Sequence, residues 1–531
     1  MRPTKMKHAF LKTGLLLTVM AAVVSLAATA HAAAPGITGT GAPATFNLIA
    51  KPAYLTQPDG QAIYSWGYGC VDGSKASFAP AAITTGTCGA MQVPGPTLIV
   101  NEGDPVTVTL TNNLPSAAGN TSILFPGFTV ISPTGSGVTG LMTQEAVPGG
   151  TVTYTFTATT PGTHSYYSGT QGDLQIEMGM YGALIVLPTK TATISSCTPV
   201  GSIPTHYAAE GDYRLAAAAY DHSKSCYDRE YLFQFSEIDP NIHAQAEAQV
   251  TALSSCTAGA AGCSLQVPTE PYHPAYFMIN GRSMPDDMDP NYAVDYPHQP
   301  YNGNPHLHPG EQVLLRIIGQ GRWQHPFHEH ANHVRILARD GNMILTPDQV
   351  ALAGPALFTT TTTPGQTMDG IFYYTGRGLN WDMYGHNPGS TDALAKLPCI
   401  PDANGYNTGD PLALNYYEWC QDHNKPVQAA PFGDIAAGGP VTLPDPNILV
   451  NGAWYGGSPY LGPNATIRAT GATGTTPPSG TIANSPSGEA GFAFMWHSHN
   501  EREITTNNAF PGGMMMMMLV DSREFAIDES N

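Results

Sequence analysis

Alternation of apolar and polar residues dominates the N-terminal part of the chain. Apolar side chains take every second position over much of residues 98–110, and the pattern returns over residues 152–156. A period of two is typical of half-buried β-strands, because successive side chains point to opposite faces of the sheet. The apolar run 180–188 closes this set. The pattern predicts one β-sandwich over residues 45–190.

A second set of apolar segments predicts further strands over residues 228–386. Residues 387–490 are instead rich in Gly, Pro, Ser and Thr, which indicates a long irregular insertion or linker. Strand-like patterns return over residues 491–531. One stretch, residues 243–253, has the spacing of a helix. The expected fold class is therefore all-β, with two to three β-sandwich domains and an irregular insertion before the C-terminal strands.

Composition supports a folded, turn-rich chain. Of the 531 residues, 57 are glycine and 46 are proline, while 42% are hydrophobic and 11% are charged. The hydrophobic fraction excludes an intrinsically disordered chain. The low content of charged residues excludes a coiled coil or a charged helical bundle.

The N-terminus predicts export. A basic start is followed by an apolar run of about 15 residues, which is shorter than the roughly 20 residues of a membrane-spanning helix. Ala30 and Ala32 suit signal peptidase, so residues 1–32 are expected to be a signal peptide. The formal net charge is −19, and removal of this basic segment would make it more negative. We therefore expect neither a nucleic-acid partner nor a membrane span.

Eight cysteines fit an oxidising compartment and fall in four pairs along the sequence. Eight cysteines allow 105 connectivities, so pairing of sequence neighbours is a hypothesis. The hypothesis joins Cys70 with Cys88, Cys197 with Cys226, Cys256 with Cys263, and Cys399 with Cys420.

Two histidine-rich motifs are the main candidates for chemistry. HPFHEHANH carries His325, His328 and His330, and WHSHN carries His497 and His499. Along a strand, side chains at positions i and i+2 emerge on the same face. Two such pairs on neighbouring strands would offer four imidazole nitrogens, the ligand type that suits copper or zinc. His306 and His308 form a further pair, which we interpret as surface histidines in a proline-rich loop.

With these motifs the chain resembles the multicopper oxidases, a family built from cupredoxin repeats. HPFHEHANH is similar to the family's His-Pro-x-His-x-His motif. WHSHNEREITTNNAFPGGM is similar to its C-terminal His-Cys-His signature with the following axial methionine. GTHSYYSGTQGDLQIEMGMYGALIV resembles the end of the family's first domain. The resemblance implies cupredoxin-like Greek-key sandwiches, copper as the cofactor, and His325, His328, His330, His497 and His499 as metal ligands.

The chain departs from the family pattern at ligand positions. Segments 124–127 and 167–169 match the family's first-domain histidine motifs, but they contain no histidine. Ser498 stands where the family has the cysteine of its type 1 copper, and Glu503 stands where it has a second type 1 histidine. A blue copper centre needs a thiolate. The departures therefore predict a non-blue site without the family's usual four-electron reduction of dioxygen.

Three functional hypotheses follow from this comparison. The first is an exported, atypical copper-dependent oxidoreductase that acts on a small reduced substrate or a metal ion. The second is a non-catalytic protein that binds or sequesters copper, and the third is a purely structural cupredoxin scaffold. The run Met514–Met518 suggests copper handling, because thioethers are soft ligands, but a strand would also bury part of such a run in the core.

Overall fold

The computed structural model describes most of the chain between residues 33 and 529. The described residues are 33–73, 76–190, 194–200, 210–375, 397–411, 413, 416–417, 492–520, 527 and 529. The predicted signal peptide and nearly all of the predicted insertion lie outside them. Within the described residues, no helix is both long and apolar enough to cross a membrane.

Strands make up most of the regular secondary structure among the described residues, which confirms the all-β prediction. The first eleven strands are β1 Gly36–Thr38, β2 Ala44–Thr56, β3 Ala62–Cys70, β4 Ser77–Ala79, β5 Leu98–Asn101, β6 Pro105–Asn112, β7 Val138–Thr139, β8 Gln144–Glu145, β9 Thr151–Thr157, β10 Gly162–Tyr167 and β11 Tyr181–Leu187. The others are β12 Arg229–Ile238, β13 Tyr276–Ile279, β14 His306–Leu307, β15 Val313–Gly319, β16 His325–Glu329, β17 Val334–Arg339, β18 Asn342–Met343, β19 Ala356–Leu357, β20 Thr359–Thr362, β21 Thr367–Phe372, β22 Phe492–Ser498 and β23 Met515–Val520.

Helices are few and short. Among the helices that lie within described residues are α1 Gly172–Gln175 and α2 Pro240–Ala252, with the 3-10 helices η1 Ser116–Ala118, η2 Ser223–Ser225 and η3 Asp286–Met288. Helix α2 confirms the helical pattern of residues 243–253. It begins where the Asp239 side chain accepts the amide N–H of Asn241 and where Pro240 takes the first position, both common features of helix starts.

The first sandwich packs two mixed sheets around one core. One sheet has the order β10-β11-β5-β1-β4, and the other has the order β3-β2-β6-β9. Strand β9 shows how the predicted alternation works, since Val152, Tyr154 and Phe156 are buried while the threonines between them are not. These side chains join Trp66 and Leu98 in the core.

The second sandwich is built in the same way and carries the histidine motifs. Its larger sheet has the order β13-β12-β15-β21-β17-β18, with β19 beside β17, and its smaller sheet has the order β14-β23-β22-β16-β20. Aromatic residues fill the space between the sheets, among them Phe233, Phe327, Phe372 and Trp496. Both units are cupredoxin-like sandwiches. The domain boundaries stay a prediction.

The two sandwiches contact each other through strands β10 and β21. The Thr163 hydroxyl donates to Asp369 Oδ1 at 2.6 Å, and the backbone N–H of Thr163 donates to Asp369 Oδ2 at 3.1 Å. Arg316 donates to the same threonine hydroxyl at 3.1 Å. These bonds are buried, so a charged carboxylate is satisfied at the junction of the two units.

Three of the four predicted disulfides are present: Cys70–Cys88, Cys197–Cys226 and Cys256–Cys263. Cys399 is also disulfide-bonded, and its predicted partner Cys420 lies outside the described residues.

We expect Phe233→Ala to destabilise the protein strongly. The Phe233 ring is fully buried between Tyr231 and Phe327, and removing a buried phenylalanine ring costs about 3–5 kcal/mol. Denaturant unfolding measures this loss. The control is Leu141→Ala, because Leu141 is 94% exposed and its truncation should change the free energy of unfolding by less than about 0.5 kcal/mol.

Candidate metal centre

Antiparallel pairing of β16 with β22 brings the two histidine motifs together. In this register His328 lies directly opposite His497, and Phe327 lies opposite Ser498. Strand β16 also pairs with β20, so the motif HPFHE occupies the interior of the sheet. The alternation of side chains then places Phe327 and Trp496 in the core and the paired histidines on the other face.

Three of the predicted ligands form a compact cluster. One ligand atom from each of His328, His330 and His497 lies within 4.8 Å of those of the other two. The Nε2 atoms of His330 and His497 are 3.1 Å apart, and all three side chains are buried. Among the described residues, this is the one group of three or more His, Cys, Asp or Glu side chains with metal-site spacing.

His499 lies at the rim of this cluster. Its ring centroid is 4.7 Å from that of His328 and 5.6 Å from that of His497. The residue follows the end of β22 and is exposed, while its backbone N–H donates to the carbonyl of Pro326 at 2.8 Å. His499 is therefore positioned beside the three buried imidazoles on their solvent side.

Local hydrogen bonds orient two of the imidazole rings. Nδ1 of His328 contacts the Thr359 hydroxyl at 2.6 Å, and Nδ1 of His497 contacts the carbonyl oxygen of Ser498 at 2.7 Å. A bond at one ring nitrogen fixes which nitrogen is available to a metal. The indole N–H of Trp496 donates to the carbonyl of His330 at 3.0 Å, which ties the third ligand to the core.

The cluster favours neutral imidazoles. Burial, followed by the nearby His497 and His499, lowers the pKa of His328 to about 4. Burial also lowers the pKa of His497. Neutral imidazole is the form that binds metal ions, so both side chains are ready to act as ligands near neutral pH.

The geometry fits a first-row metal ion. Imidazole nitrogens bind zinc at about 2.0–2.1 Å, so two nitrogens on one tetrahedral ion lie roughly 3.3 Å apart. The His330 and His497 Nε2 atoms, at 3.1 Å, have nearly this spacing. A set of imidazoles without carboxylates suits copper or zinc better than magnesium or calcium.

His325 lies outside the cluster, in a buried ionic network. Its Nδ1 is 2.8 Å from Glu503 Oε2, and its Nε2 is 3.0 Å from Glu237 Oε2. The Ser498 hydroxyl donates to the same Glu503 oxygen at 2.5 Å. Burial alone would lower the pKa of His325, but the bonds to Glu237 and Glu503 outweigh it and raise the pKa to about 9. Both ring nitrogens are thus engaged by carboxylates.

Segments 124–127 and 167–169, which the sequence comparison aligned with histidine motifs, lie side by side. The backbone N–H of Leu124 donates to the carbonyl of Tyr167 at 2.7 Å. Tyr167 then lines a cavity of about 400 Å³ together with His164, Asp340 and Gly365. At the predicted histidine positions the segments carry Leu124, Pro126, Tyr167 and Gly169.

The interpretation of His306 and His308 as surface residues is wrong. Strand β14 pairs with β23, which places both side chains in the interior at 2% exposure each. His308 Nε2 lies 3.4 Å from Glu210 Oε1, within a group of buried charges that includes Arg229. A proline-rich sequence indicated an exposed loop, but pairing with a distant strand overrides that local signal.

Sequence patterns did not identify Thr359 or Glu237 as neighbours of the histidines. Thr359 belongs to a run of four threonines in β20, and Glu237 lies near the end of the apolar strand β12. Both reach the histidines only through pairing between distant strands. A charged residue within an otherwise apolar strand was the available signal for Glu237, since a buried carboxylate needs a partner.

Comparison with known proteins agrees with the fold of the first sandwich. Residues 74–191 match the family model described as "Multicopper oxidase". A laccase of Aspergillus fumigatus is 38% identical over 98 residues, and an L-ascorbate oxidase of Brassica rapa subsp. pekinensis is 41% identical over 96 residues. Each match covers 18% of this chain and 16% of the relative, so the chain matches about a sixth of the length of these proteins.

Solved structures overlap the chain over a greater length. The match to the multicopper oxidase mgLAC spans 91% of this chain and 88% of the mgLAC chain, at 15% sequence identity and a TM-score of 0.44. The match to a blue copper oxidase from Nitrosomonas europaea spans 90% of this chain and 85% of that oxidase chain, at 16% sequence identity and a TM-score of 0.43. Likenesses at these scores support no argument about the site. The class defined by the fold is that of the cupredoxin-like all-β proteins. Through its first sandwich, the chain is similar to the multicopper oxidases.

The buried His325 network predicts a specific dependence of stability on pH. The pKa of His325 is 6.5 in an ordinary setting and about 9 here. A raised pKa stabilises the folded state fully below about pH 6.5, and this contribution is lost as pH rises through about 9. The free energy of unfolding should therefore fall across this window, and Glu503→Gln should make the fall smaller.

Denaturant unfolding at several pH values measures this effect. Glu501→Gln is the control, because Glu501 is exposed and lies two residues from Glu503. Equal pH profiles for Glu503→Gln and Glu501→Gln would show that the network does not hold a proton on His325.

Proposed function

We propose that this chain is an exported copper-binding oxidoreductase whose metal centre is the non-blue histidine cluster. The observation that carries the proposal is the convergence of three buried imidazoles, from His328, His330 and His497, within 4.8 Å. The match of residues 74–191 to the multicopper oxidase family model supports copper as the metal. The proposed substrates are a small reduced molecule or a reduced metal ion.

Each residue has a distinct proposed role. His328, His330 and His497 would hold the copper, and the exposed His499 would add a ligand from the solvent side. Thr359 and the Ser498 carbonyl would orient the rings of His328 and His497 through their Nδ1 atoms. Copper held in this way would supply one-electron transfer between its cuprous and cupric forms.

The ionic network around His325 supports a non-blue centre. Position 498 is serine, and its hydroxyl bonds to Glu503, so this position offers no thiolate for blue copper. The sequence also predicted His325 as a copper ligand. Because both of its nitrogens are bonded to carboxylates, we propose that it serves instead as a buried cation that holds Glu237 and Glu503 in place.

Export is part of the proposal. The three disulfides fit an oxidising compartment, and the N-terminal sequence has the pattern of a signal peptide.

A second candidate is a copper-binding protein without catalysis. It is favoured by one observation: His325, Glu503 and Ser498, which the sequence comparison aligned with ligands of the family's electron-transferring copper, are bonded to one another. A copper ion at the histidine cluster would then lack its usual electron donor. Oxidase turnover that depends on bound copper distinguishes the two candidates.

We expect His328→Ala/His330→Ala to abolish tight copper binding. Two of the three clustered nitrogens would be missing, and the remaining ligands cannot enclose the ion. Copper per chain after desalting should fall from about one to near zero. The control is His333→Ala, since His333 is exposed and packs against Phe358 outside the cluster.

The same samples distinguish the functional candidates. Oxidase turnover that depends on the bound copper supports the oxidoreductase, and copper binding without turnover supports the second candidate. Unchanged copper content in the double variant, or loss of copper in His333→Ala, would refute the assignment of the metal centre.

We also expect the copper-loaded protein to show no intense visible band of the blue-copper type. That band arises from a copper–thiolate bond, and residue 498 is serine. Ser498→Cys alone should not create the band, because Glu503 occupies the position of the second type 1 imidazole. Visible absorption and electron paramagnetic resonance spectra test this, and an intense band in the natural protein would contradict the ligand assignment.

A further inference from the structure

The methionine run Met514–Met518 is divided between two faces of the smaller sheet of the second sandwich. Met514, Met516 and Met518 pack in the aromatic core with Phe494 and Trp496. Methionine is a flexible filler of irregular gaps in cores, so packing accounts for these three side chains. Met515 and Met517 point to the opposite face, where they lie across from His497 and Met495 and not in the aromatic core.

Three methionines from separate elements pack together beside the opposite face, and one of them, Met288, also contacts the core. Met517 of β23 lies directly across from Met495 of β22. The backbone N–H of Met517 contacts the sulfur of Met288, in η3, at 3.3 Å. These three residues pack together in one small cluster with Leu519. Met517 is buried, whereas Met288 and Met495 are partly exposed, so the cluster is reachable from solvent.

This thioether cluster is continuous with the histidine cluster. Along the same pair of strands, His497 lies across from Met515, one step from the pair Met495 and Met517 on the same face. Side chains directly opposite each other in an antiparallel pair have Cβ atoms about 4.5–5.5 Å apart. A row of methionine residues therefore runs from Met515, opposite His497, through Met517 and Met495 to the partly exposed Met288.

We propose that Met288, Met495 and Met517 form a second metal site, which binds monovalent copper through thioether sulfur. Thioethers are soft and uncharged ligands, and they select Cu(I) over harder ions. Leucine would fill the same space as methionine with little loss of packing, so packing alone does not require sulfur at three converging positions. The site goes beyond the proposed function and does not depend on copper at the histidines.

The test compares two matched triple variants of the full chain. In the outer variant Met288, Met495 and Met517 are each replaced by leucine, and in the inner variant Met514, Met516 and Met518 are replaced in the same way. Cu(I) is added without oxygen and titrated against a coloured Cu(I) chelator. X-ray absorption then reports whether sulfur is bound to the copper.

We expect the outer variant to bind Cu(I) at least tenfold more weakly at this site and to lose the sulfur signal. The inner variant should keep both the affinity and the signal, because its methionines face the core. Retention of Cu(I)–sulfur binding in the outer variant would overturn the proposal, as would equal losses in the two variants.

A further measurement does not depend on the folding of the methionine variants, and it tests this site independently of the proposed function. His328→Ala/His330→Ala carries all seven of the methionines named here and should still show copper bound to sulfur when loaded with Cu(I). Absence of sulfur ligation in this variant and in the natural protein would overturn the proposal whatever the folding of the methionine variants. Loss of Cu(II) binding with retention of Cu(I)–sulfur binding would support both sites. Cu(II) binding that is unaffected by the histidine changes would refute the proposed function alone.

Discussion

The register between β16 and β22 is the constraint on which the metal centre depends. It places His328 opposite His497 although the two motifs lie far apart in the sequence. Side chains alternate strictly between the faces of a strand, so a slip of one residue would turn His497 into the core and Trp496 out of it. Burial of Trp496 between Phe327 and Phe372 therefore stabilises the register, and through it the cluster. The hydrophobic core therefore determines which face of the sheet carries the imidazoles.

The same alternation explains how the chain combines a metal-binding face with a charged interior. Ser498 lies between His497 and His499 in sequence but points to the core side, where it donates to Glu503. Glu503 and Glu237 in turn bind both nitrogens of His325. A buried carboxylate is costly without a partner, so this network needs each of its members. A protonated His325 satisfies two buried carboxylates, so this interior is an ionic structural element in our account.

Prediction from the sequence worked where the pattern is local and periodic. The alternation over residues 152–156 identified β9, and the i, i+2 rule identified His328 and His330 as neighbours. It failed where long-range pairing decides burial, as for His306, which pairing with Leu519 places in the interior. The contact of Thr359 with His328 could not be foreseen for the same reason: no periodicity in either segment records which strand lies alongside. Three disulfides between sequence neighbours were predictable because the loops that they close are short.

The most direct test of this account is the position of copper in crystals of the protein loaded with one equivalent of Cu(II). Anomalous diffraction at the copper edge locates the ion without assumptions about its ligands. The account predicts one strong peak between the imidazoles of His328, His330 and His497, with His325 still bonded to Glu237 and Glu503. A peak beside His325, with the histidine cluster empty, would contradict it.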